Sequence, residues 1–489
     1  MAIITRPSNI KRAPLTRPKL NVNPLYDMQN GRMLLGMDGR WYLNGGLAQL
    51  NGFGGRGNTW KSTTQRTFHL KAHGRYCRNR GFGENMDSEF SVDPYRSVQL
   101  MQNFWEEETF DLMGELENTE GTYNVTDNSE QTGDHWWDCL HGDLNKRAEA
   151  KRSDKCATPF RDYEGGLIHM LPVWHYDLDS ASQLSMASTI KQTEKGTAGS
   201  AEQQTIWMRD AGAKAQMITQ MAYDLPRGGA FLSMTAHLDD SIKLDTYAPS
   251  TKKLAGLKGD LKFKGVPGRQ FTFLPSSCYV ATAEGNMLDS AKMPEYGISE
   301  RDAMKGDTDL KIVRYEQLRG KGGPTGIVSD FIYSQQEGML EHLGCFYYLH
   351  KILGGYGMTI KGNSLGFTLD LYPDVYFTRN TIRGLLKTDR KFARAVEITA
   401  MMGYERFMWH AEPELYKMEP AVLHKLVKEK GYDWNDILEN TIYWWHFNDD
   451  FSSINKHTVT HRTLIDMAMG LHEAVYLASY PGKSNGIAA

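Results

Sequence analysis

No apolar run in the 489 residues approaches the length that crosses a membrane; a spanning helix needs about 18–20 such residues. The N-terminus also lacks the apolar stretch of a secretory signal, so no membrane partner and no export are expected. Cysteine is scarce. Cys77, Cys139, Cys156, Cys278 and Cys345 are scattered, with no C-x-x-C pair. That spacing argues against a disulfide framework, and reduced thiols in a cytosolic setting, with no zinc, are expected. Neither sign of charge dominates, the formal net charge being -3. A nucleic-acid partner would have to be met by positive charge gathered locally. Acid is missing from residues 1–26, which carry Arg6, Lys11, Arg12, Arg17 and Lys19. This basic arm is either an unstructured tail or a segment that docks on a neighbouring subunit or on nucleic acid. No internal repeat is visible.

What is present is globular. With 40% hydrophobic and 24% charged residues, the chain can bury a normal core without a metal or disulfide staple. Residues 41–50, "WYLNGGLAQL", run strand-like into "NGFGG". A helix is expected after Lys61, stopping near Gly74. Residues 104–134 read as an acidic helix followed by a polar loop. Apolar, strand-like stretches recur at 167–174, 230–236, 271–283 and 327–333, and a long helical pattern fills 202–225. Strands alternating with helices argue an α/β core with a mostly parallel sheet. From about residue 380 the pattern turns helical, and Pro420 and Gly431 bracket one helix. The expected organisation is a basic arm over 1–35, a core over 36–345 with an insertion around 104–160, and a mixed to mainly helical C-terminal domain over 346–489.

The chemistry centres on "GGRGNTWKST", residues 54–63. A phosphate-binding loop has the form G-x-x-x-x-G-K-[ST]. Its backbone N–H groups cradle phosphates, its lysine reaches the β/γ-phosphates and its hydroxyl holds Mg²⁺. Gly55, Arg56, Gly57, Asn58, Thr59, Trp60, Lys61, Ser62 and Thr63 form the candidate loop. Trp60 stands where the pattern has its last glycine. A strand before the loop and a helix after it would set phosphate at a helix N-terminus.

An ATPase also needs a carboxylate beside the attacking water and another near Mg²⁺. "NMDSEFSVDPYR" (85–96) supplies Asp87 and Glu89. "HYDLDSASQL" (175–184) supplies Asp179 after an apolar run. "FLSMTAHLDD" (231–240) ends a further strand with His237, placed to contact a γ-phosphate. Each has an ordinary structural explanation: a solvated loop acid, a helix cap, a satisfied buried histidine. Their order along alternating strands favours a site.

With these motifs the chain resembles the RecA family of recombinases, and most closely the UvsX-type branch found in bacteriophages. "MDSEFSVDPYR" resembles that family's DxE…DPxY segment, which gives Glu89 the water-activating role. "LDSASQL" resembles its Walker B, which gives Asp179 the Mg²⁺ role beside Ser62. "MTAHLDD" resembles its ATP-sensing strand, with His237 as in the UvsX branch. That branch also carries an aromatic before the loop lysine, as Trp60 does here. "LRGKGGPTGIVSDFIYSQQEGM" (318–339) resembles the segment whose two basic residues reach the ATP of the adjacent subunit, here Arg319 and Lys321. The likeness spans about residues 40–345. It implies a RecA-like P-loop ATPase core that uses ATP and Mg²⁺. The activity implied is DNA-stimulated ATP hydrolysis by a filament-forming recombinase of strand exchange and repair. Implied partners are single-stranded and duplex DNA, further copies of the chain, and a loader or single-strand-binding protein. The implied setting is the cytoplasm of an infected bacterial host.

The segment 241–269 carries Lys243, Lys252, Lys253, Lys258, Lys262, Lys264 and Arg269 against two acids. It follows the sensor strand, where RecA-like proteins touch DNA. Phosphate contacts there would be sequence-independent and salt-sensitive, and Tyr247 and Phe263 could stack on bases. A weaker candidate loop lies at 189–204. His169 and His175, six residues apart, read as structural histidines, "YWWHFNDDF" (443–451) as packing, and Asp239–Asp240 as an unsupported acid pair. Two other classes remain open. One is a ring helicase of the DnaB type. The other is a DNA-binding scaffold with a degenerate loop, for which Trp60 is the best support.

Overall fold

A computed structural model describes residues 13–471 apart from 78–79, 128, 130, 196–200, 241–260, 299–303, 322, 324, 362–365 and 448–456. Its centre is a ten-stranded sheet. In chain order the strands are β1 (Leu50–Gly55), β2 (Phe82–Asp87), β3 (Tyr123–Asp127), β4 (Trp174–Asp179) and β5 (Ala230–Asp240). They continue with β6 (Leu261–Lys264), β7 (Ser277–Asn286), β8 (Leu310–Gly320), β9 (Val328–Ser334) and β10 (Gly338–Met339). In space they run β10-β9-β8-β7-β1-β5-β4-β2-β3, with β6 folded back on β5. Every pairing from β7 across to β3 is parallel. Strands β8, β9, β10 and β6 pair antiparallel. The fold is α/β with a mostly parallel central sheet, as the sequence pattern indicates.

Parallel strands covered on both faces are apolar on both, and alternation sorts their side chains between two cores. Leu50, Leu178, Leu232, Met234 and Val280 face one layer. There they meet α4 (Gly133–Ala148) through Trp136 and Leu140, and α5 (Ala201–Gly228) through Ile218 and Met221. Phe53, Phe231, Tyr279 and Tyr315 face the other layer and meet Phe68 and Ala72 of α2 (Lys61–Tyr76). Helix α2 is polar in composition yet almost wholly buried. Several of its polar groups are paired: Gln65 donates to the Ser233 carbonyl at 2.7 Å, Lys71 forms an ion pair with Glu341 at 2.6 Å, and Arg75 with Glu108.

Several local expectations change. The helix after Lys61 runs past Gly74 to Tyr76. Residues 104–134 are not a helix followed by a loop: short turns and a helix, α3 (Leu112–Glu117), lead into β3, which extends the sheet edge. The apolar run 271–283 divides into a helix, Gly268–Phe273, and strand β7. Pro172 interrupts the run 167–174, so Leu167–Met170 pairs with Cys156–Arg161 and β4 begins at Trp174.

Residues 20–47 are folded against the rest of the chain. Leu25 and Met28 of α1 (Pro24–Asn30) share a core with Phe392, Val396 and Met401 of α6 (Arg390–Met408), and with Trp444. Tyr443 Oη donates to Asp27 Oδ2 at 2.8 Å, and Trp41 Nε1 to Asp466 Oδ2 at 2.8 Å. Tyr443, Trp444 and Trp445 are fully buried, as expected of a packing segment. The helices after residue 340 surround a small antiparallel sheet, residues 358–378.

Candidate active site

Strand order turns at β1, with β5, β4 and β2 on one side and β7 on the other. In such sheets ligands sit beyond the carboxyl ends of the strands at this turning point. Register brings the candidate residues there: Gly55 pairs with His237, and Asp87 with Asp179.

The loop after β1 is tightly wound. A Cβ on Gly55 would lie 2.2 Å from Thr59 Oγ1, so the turn requires glycine there. Thr59 Oγ1 donates to the Arg56 carbonyl at 2.8 Å. Asn58 and Trp60 both hold φ near +60°, a region that side chains other than glycine rarely enter. A Cβ on Gly57 would touch nothing within 4 Å, so the loop's outer side is open. The Trp60 ring stacks on Tyr333 of β9, with centroids 5.1 Å apart and planes at 24°. Its carbonyl accepts from Thr64 Oγ1 at 2.7 Å. That hydroxyl also meets Tyr315 Oη at 2.8 Å and Tyr333 Oη at 2.5 Å. An aromatic replaces the usual glycine because β8 and β9 provide aromatic and hydroxyl groups to hold it. Trp60 gives α2 no side-chain cap, and the first turn of the helix holds no acid.

Lys61 is buried, and desolvation lowers its pKa while Glu89 and Asp179 oppose the shift. Ser62 Oγ donates to Asp179 Oδ1 at 2.9 Å, and Thr235 Oγ1 donates to the same oxygen at 2.7 Å. Arg66 stands 3.6 Å from Oδ2, which is buried and accepts no hydrogen bond among the described residues. Burial raises the Asp179 pKa against the Thr235 hydrogen bond and the Arg66 charge. A hydroxyl beside a carboxylate with one open oxygen is an oxygen-only donor set, the kind Mg²⁺ takes. The residues therefore fit the ion.

Glu89 lies on the loop after β2, with Oε1 2.7 Å from His237 Nε2. Each side chain is 24% exposed, open enough for a small ligand to reach. The His237 hydrogen bond, aided by Ser180 and the Lys61 charge, draws the Glu89 pKa down to about 2 against desolvation. Asp87 does not join this pair. Its carboxylate accepts the N–H groups of Glu89, Ser91 and Val92 at 3.0, 2.6 and 2.6 Å, and so shapes the loop that carries Glu89.

Lys61, Ser62, Asp179 and the Glu89–His237 pair thus lie at one end of the sheet. Arg319 and Lys321 do not. Arg319 pairs with Cys278, which lies level with Gly52, and Lys321 follows Gly320, level with Asn51. Both stand toward the amino end of β1, away from the loop. Lys321 Nζ donates to the Leu274 carbonyl at 2.5 Å.

Of the basic segment, Lys262 and Lys264 on β6 and Arg269 are exposed, and Lys264 lies 3.4 Å from Asp239. Lys243, Lys252, Lys253, Lys258 and Tyr247 fall outside the described residues. Phe263 is not free to stack on a base. It packs on Phe271 with centroids 4.8 Å apart and fills the space beside Gly54 that a Cβ would need. His169 contacts its own strand at the Leu167 carbonyl, and His175 lies elsewhere in a buried cluster.

Sequence reasoning missed Thr235, Arg66 and Tyr333. Thr235 was detectable, since it precedes His237 by two residues and so shares its strand face. Arg66 and Tyr333 act through tertiary contacts that no local pattern encodes.

No family model matches the sequence, and no curated protein is found to be similar. Among solved structures the chain is similar to a crystal structure of the RadB recombinase, with 13% identity and a TM-score of 0.32 over 60% of this chain and 92% of that one.

Proposed function

We propose that the chain is a DNA-dependent ATPase that self-assembles, of the recombinase kind that its RecA-type and, more finely, UvsX-type motifs imply. The observation that carries this reading is the convergence of Lys61, the Ser62–Asp179 pair and the Glu89–His237 pair at the carboxyl ends of adjacent parallel strands. In this reading residues 55–63 hold the phosphates of ATP, and Lys61 neutralises the β/γ oxygens. Ser62 and Asp179 would hold Mg²⁺, which supplies charge neutralisation on the transferring phosphoryl group.

Glu89 orients the attacking water. A glutamate carboxyl is ordinarily ionised at neutral pH, so it acts as a hydrogen-bond acceptor for the water. Phosphoryl transfer through a loose transition state asks for positioning more than for proton abstraction. Water then adds at the γ-phosphorus as the bond to ADP breaks. His237 is the group that exchanges Glu89 for the γ-phosphate.

Arg319 and Lys321 belong to the neighbour's site. Their place toward the amino end of β1 supports this, since one chain's basic pair can meet the next chain's loop in a head-to-tail assembly. Lys262, Lys264 and Arg269, with the lysines of 243–258, contact DNA phosphates.

The test is ATP hydrolysis by the purified chain, with and without single-stranded DNA, beside Lys61→Ala and Glu89→Gln. Expected is DNA-stimulated turnover lost in both variants. No turnover under any condition sinks the ATPase and favours a DNA-binding scaffold. Turnover with closed rings in electron micrographs favours a DnaB-type helicase.

A further inference from the structure

Behind the phosphate-loop helix lies a cluster that the proposed ATPase does not use. His69, His73 and Cys77 are spaced four residues apart along α2 and its C-terminal cap and share a face. His175 reaches them from β4. All four are buried. His73 Nδ1 lies 3.1 Å from His175 Nε2, and one donor atom each from His73, Cys77 and His175 falls within 4.8 Å of the others.

Two further observations point to an ion. First, the neighbouring strand leaves room at the donors. A Cβ on Gly83 would stand 2.7 Å from His175 Nε2 and 2.8 Å from His73 Nδ1, and one on Gly81 would stand 2.7 Å from Cys77 Sγ. Glycine at 83 therefore keeps open the space between the two histidine donors, while Gly81 is set by its close approach to the Cys77 backbone, whose Cα would stand 2.5 Å from such a Cβ. Second, the ring nitrogens that face away are already engaged. His73 Nε2 meets Thr122 Oγ1 at 3.2 Å, and that hydroxyl donates to Glu115 Oε2 at 3.0 Å. His175 Nδ1 meets His69 Nδ1 at 2.7 Å. Metal-bound histidines are oriented in this way, the outer ring nitrogen tied to a carboxylate or another polar group.

We propose that His73 Nδ1, His175 Nε2 and Cys77 Sγ form a buried site for a thiophilic divalent ion of the Zn²⁺ class, with His69 orienting His175. Two nitrogens and one sulfur suit that class. A tetrahedral ion with bonds of roughly 2.0–2.3 Å holds its donors about 3.3–3.7 Å apart, so the histidine nitrogens, now 3.1 Å apart, would spread slightly, and Cys77 Sγ already lies within 4.8 Å of them. The thiol gives up its proton on binding, and the fourth position is left to water or to the Val173 carbonyl, now 3.5 Å from Cys77 Sγ. The site would pin α2 to β4, and through them the phosphate loop to Asp179. Its role is structural, independent of whether ATP is hydrolysed.

The experiment uses the full chain, stripped with chelator and dialysed against Zn²⁺ or Co²⁺. Expected are about one tightly held Zn²⁺ per chain and a cobalt spectrum with a thiolate charge-transfer band. That band should vanish in Cys77→Ser and persist in Cys139→Ser, whose thiol is exposed. If Cys77→Ser fails to fold, the wild-type stoichiometry, the wild-type cobalt band and its survival in Cys139→Ser decide the matter. Less than about a tenth of an equivalent of Zn²⁺, a cobalt spectrum without the thiolate band, or a band that survives in folded Cys77→Ser would overturn the proposal.

Discussion

Ser62 Oγ donates to Asp179 Oδ1 at 2.9 Å, joining the first turn of the phosphate-loop helix to the end of β4. In the proposed function this bond sets the two groups that would hold Mg²⁺ side by side. Ser62→Ala and Asp179→Asn should each lower ATP turnover by roughly 10²-fold or more, as loss of a pre-positioned electrostatic group does. Raising Mg²⁺ should recover part of the Ser62→Ala loss and little of the Asp179→Asn loss. Steady-state hydrolysis across a Mg²⁺ titration checks this.

The Glu89–His237 pair predicts a pH signature. Glu89 is held down to about 2 from an ordinary 4.5. A depressed carboxyl adds stability that is fully present above its unfolded value and is lost as pH falls through the folded one. The gap in stability between the wild type and His237→Ala should therefore be widest near neutrality and close between about pH 4.5 and 2. Urea denaturation at stepped pH reads it, and a gap that widens toward acid would refute the assignment.

Trp60 offers a test of the unusual loop. Glycine adopts a positive φ without strain, so Trp60→Gly should keep the loop's shape and turnover within about threefold. The lost stack on Tyr333 should cost about 1 kcal/mol, seen as a lower thermal midpoint. A collapse of ATP binding would instead show that the indole itself touches nucleotide.

Contacts between neighbouring chains can be tested by mixing. Lys61→Ala and Arg319→Ala should each be inactive alone. Combined, they should regain a fraction of activity, because some interfaces then pair an intact loop with an intact arginine. No recovery at any ratio would place Arg319 outside the neighbour's site.

For DNA, charge reversal at Lys262 and Arg269 should weaken binding alike for all sequences. It should also flatten the salt dependence by close to one unit of slope for each DNA phosphate that is no longer neutralised. Fluorescence anisotropy across a salt series measures both.

The contrast between what was readable and what was not has a physical cause. β1 with its loop, β4 with Asp179 and β5 with His237 could be placed because an apolar run ending in a polar residue is a local signal. The Glu89 loop was placed by its motif, while the part of Asp87 as its backbone acceptor was not. The stretch 104–134 misled because β3 is a five-residue edge strand, Tyr123–Asp127, set among polar residues that read as loop. Phe263 misled because only the folded hairpin shows it packed against Gly54. The burial of α2 was hidden for a similar reason: its polar sequence looks solvent-facing, and the ion pairs that permit burial come from residues as distant as Glu341.

The docking of α1 has a consequence for how the chain is made. Asp27 waits for Tyr443, 416 positions later, and Trp41 for Asp466, 425 positions later. At roughly 5–20 residues per second of synthesis, Asp27 and Trp41 stay without these partners for about 20 seconds or more. Closing contacts this remote is slow, since the entropy of a long loop is lost before the contacts form. During synthesis Leu25, Met28 and Leu43 therefore precede by some hundreds of residues the Phe392–Met401 face of α6 with which they share a core.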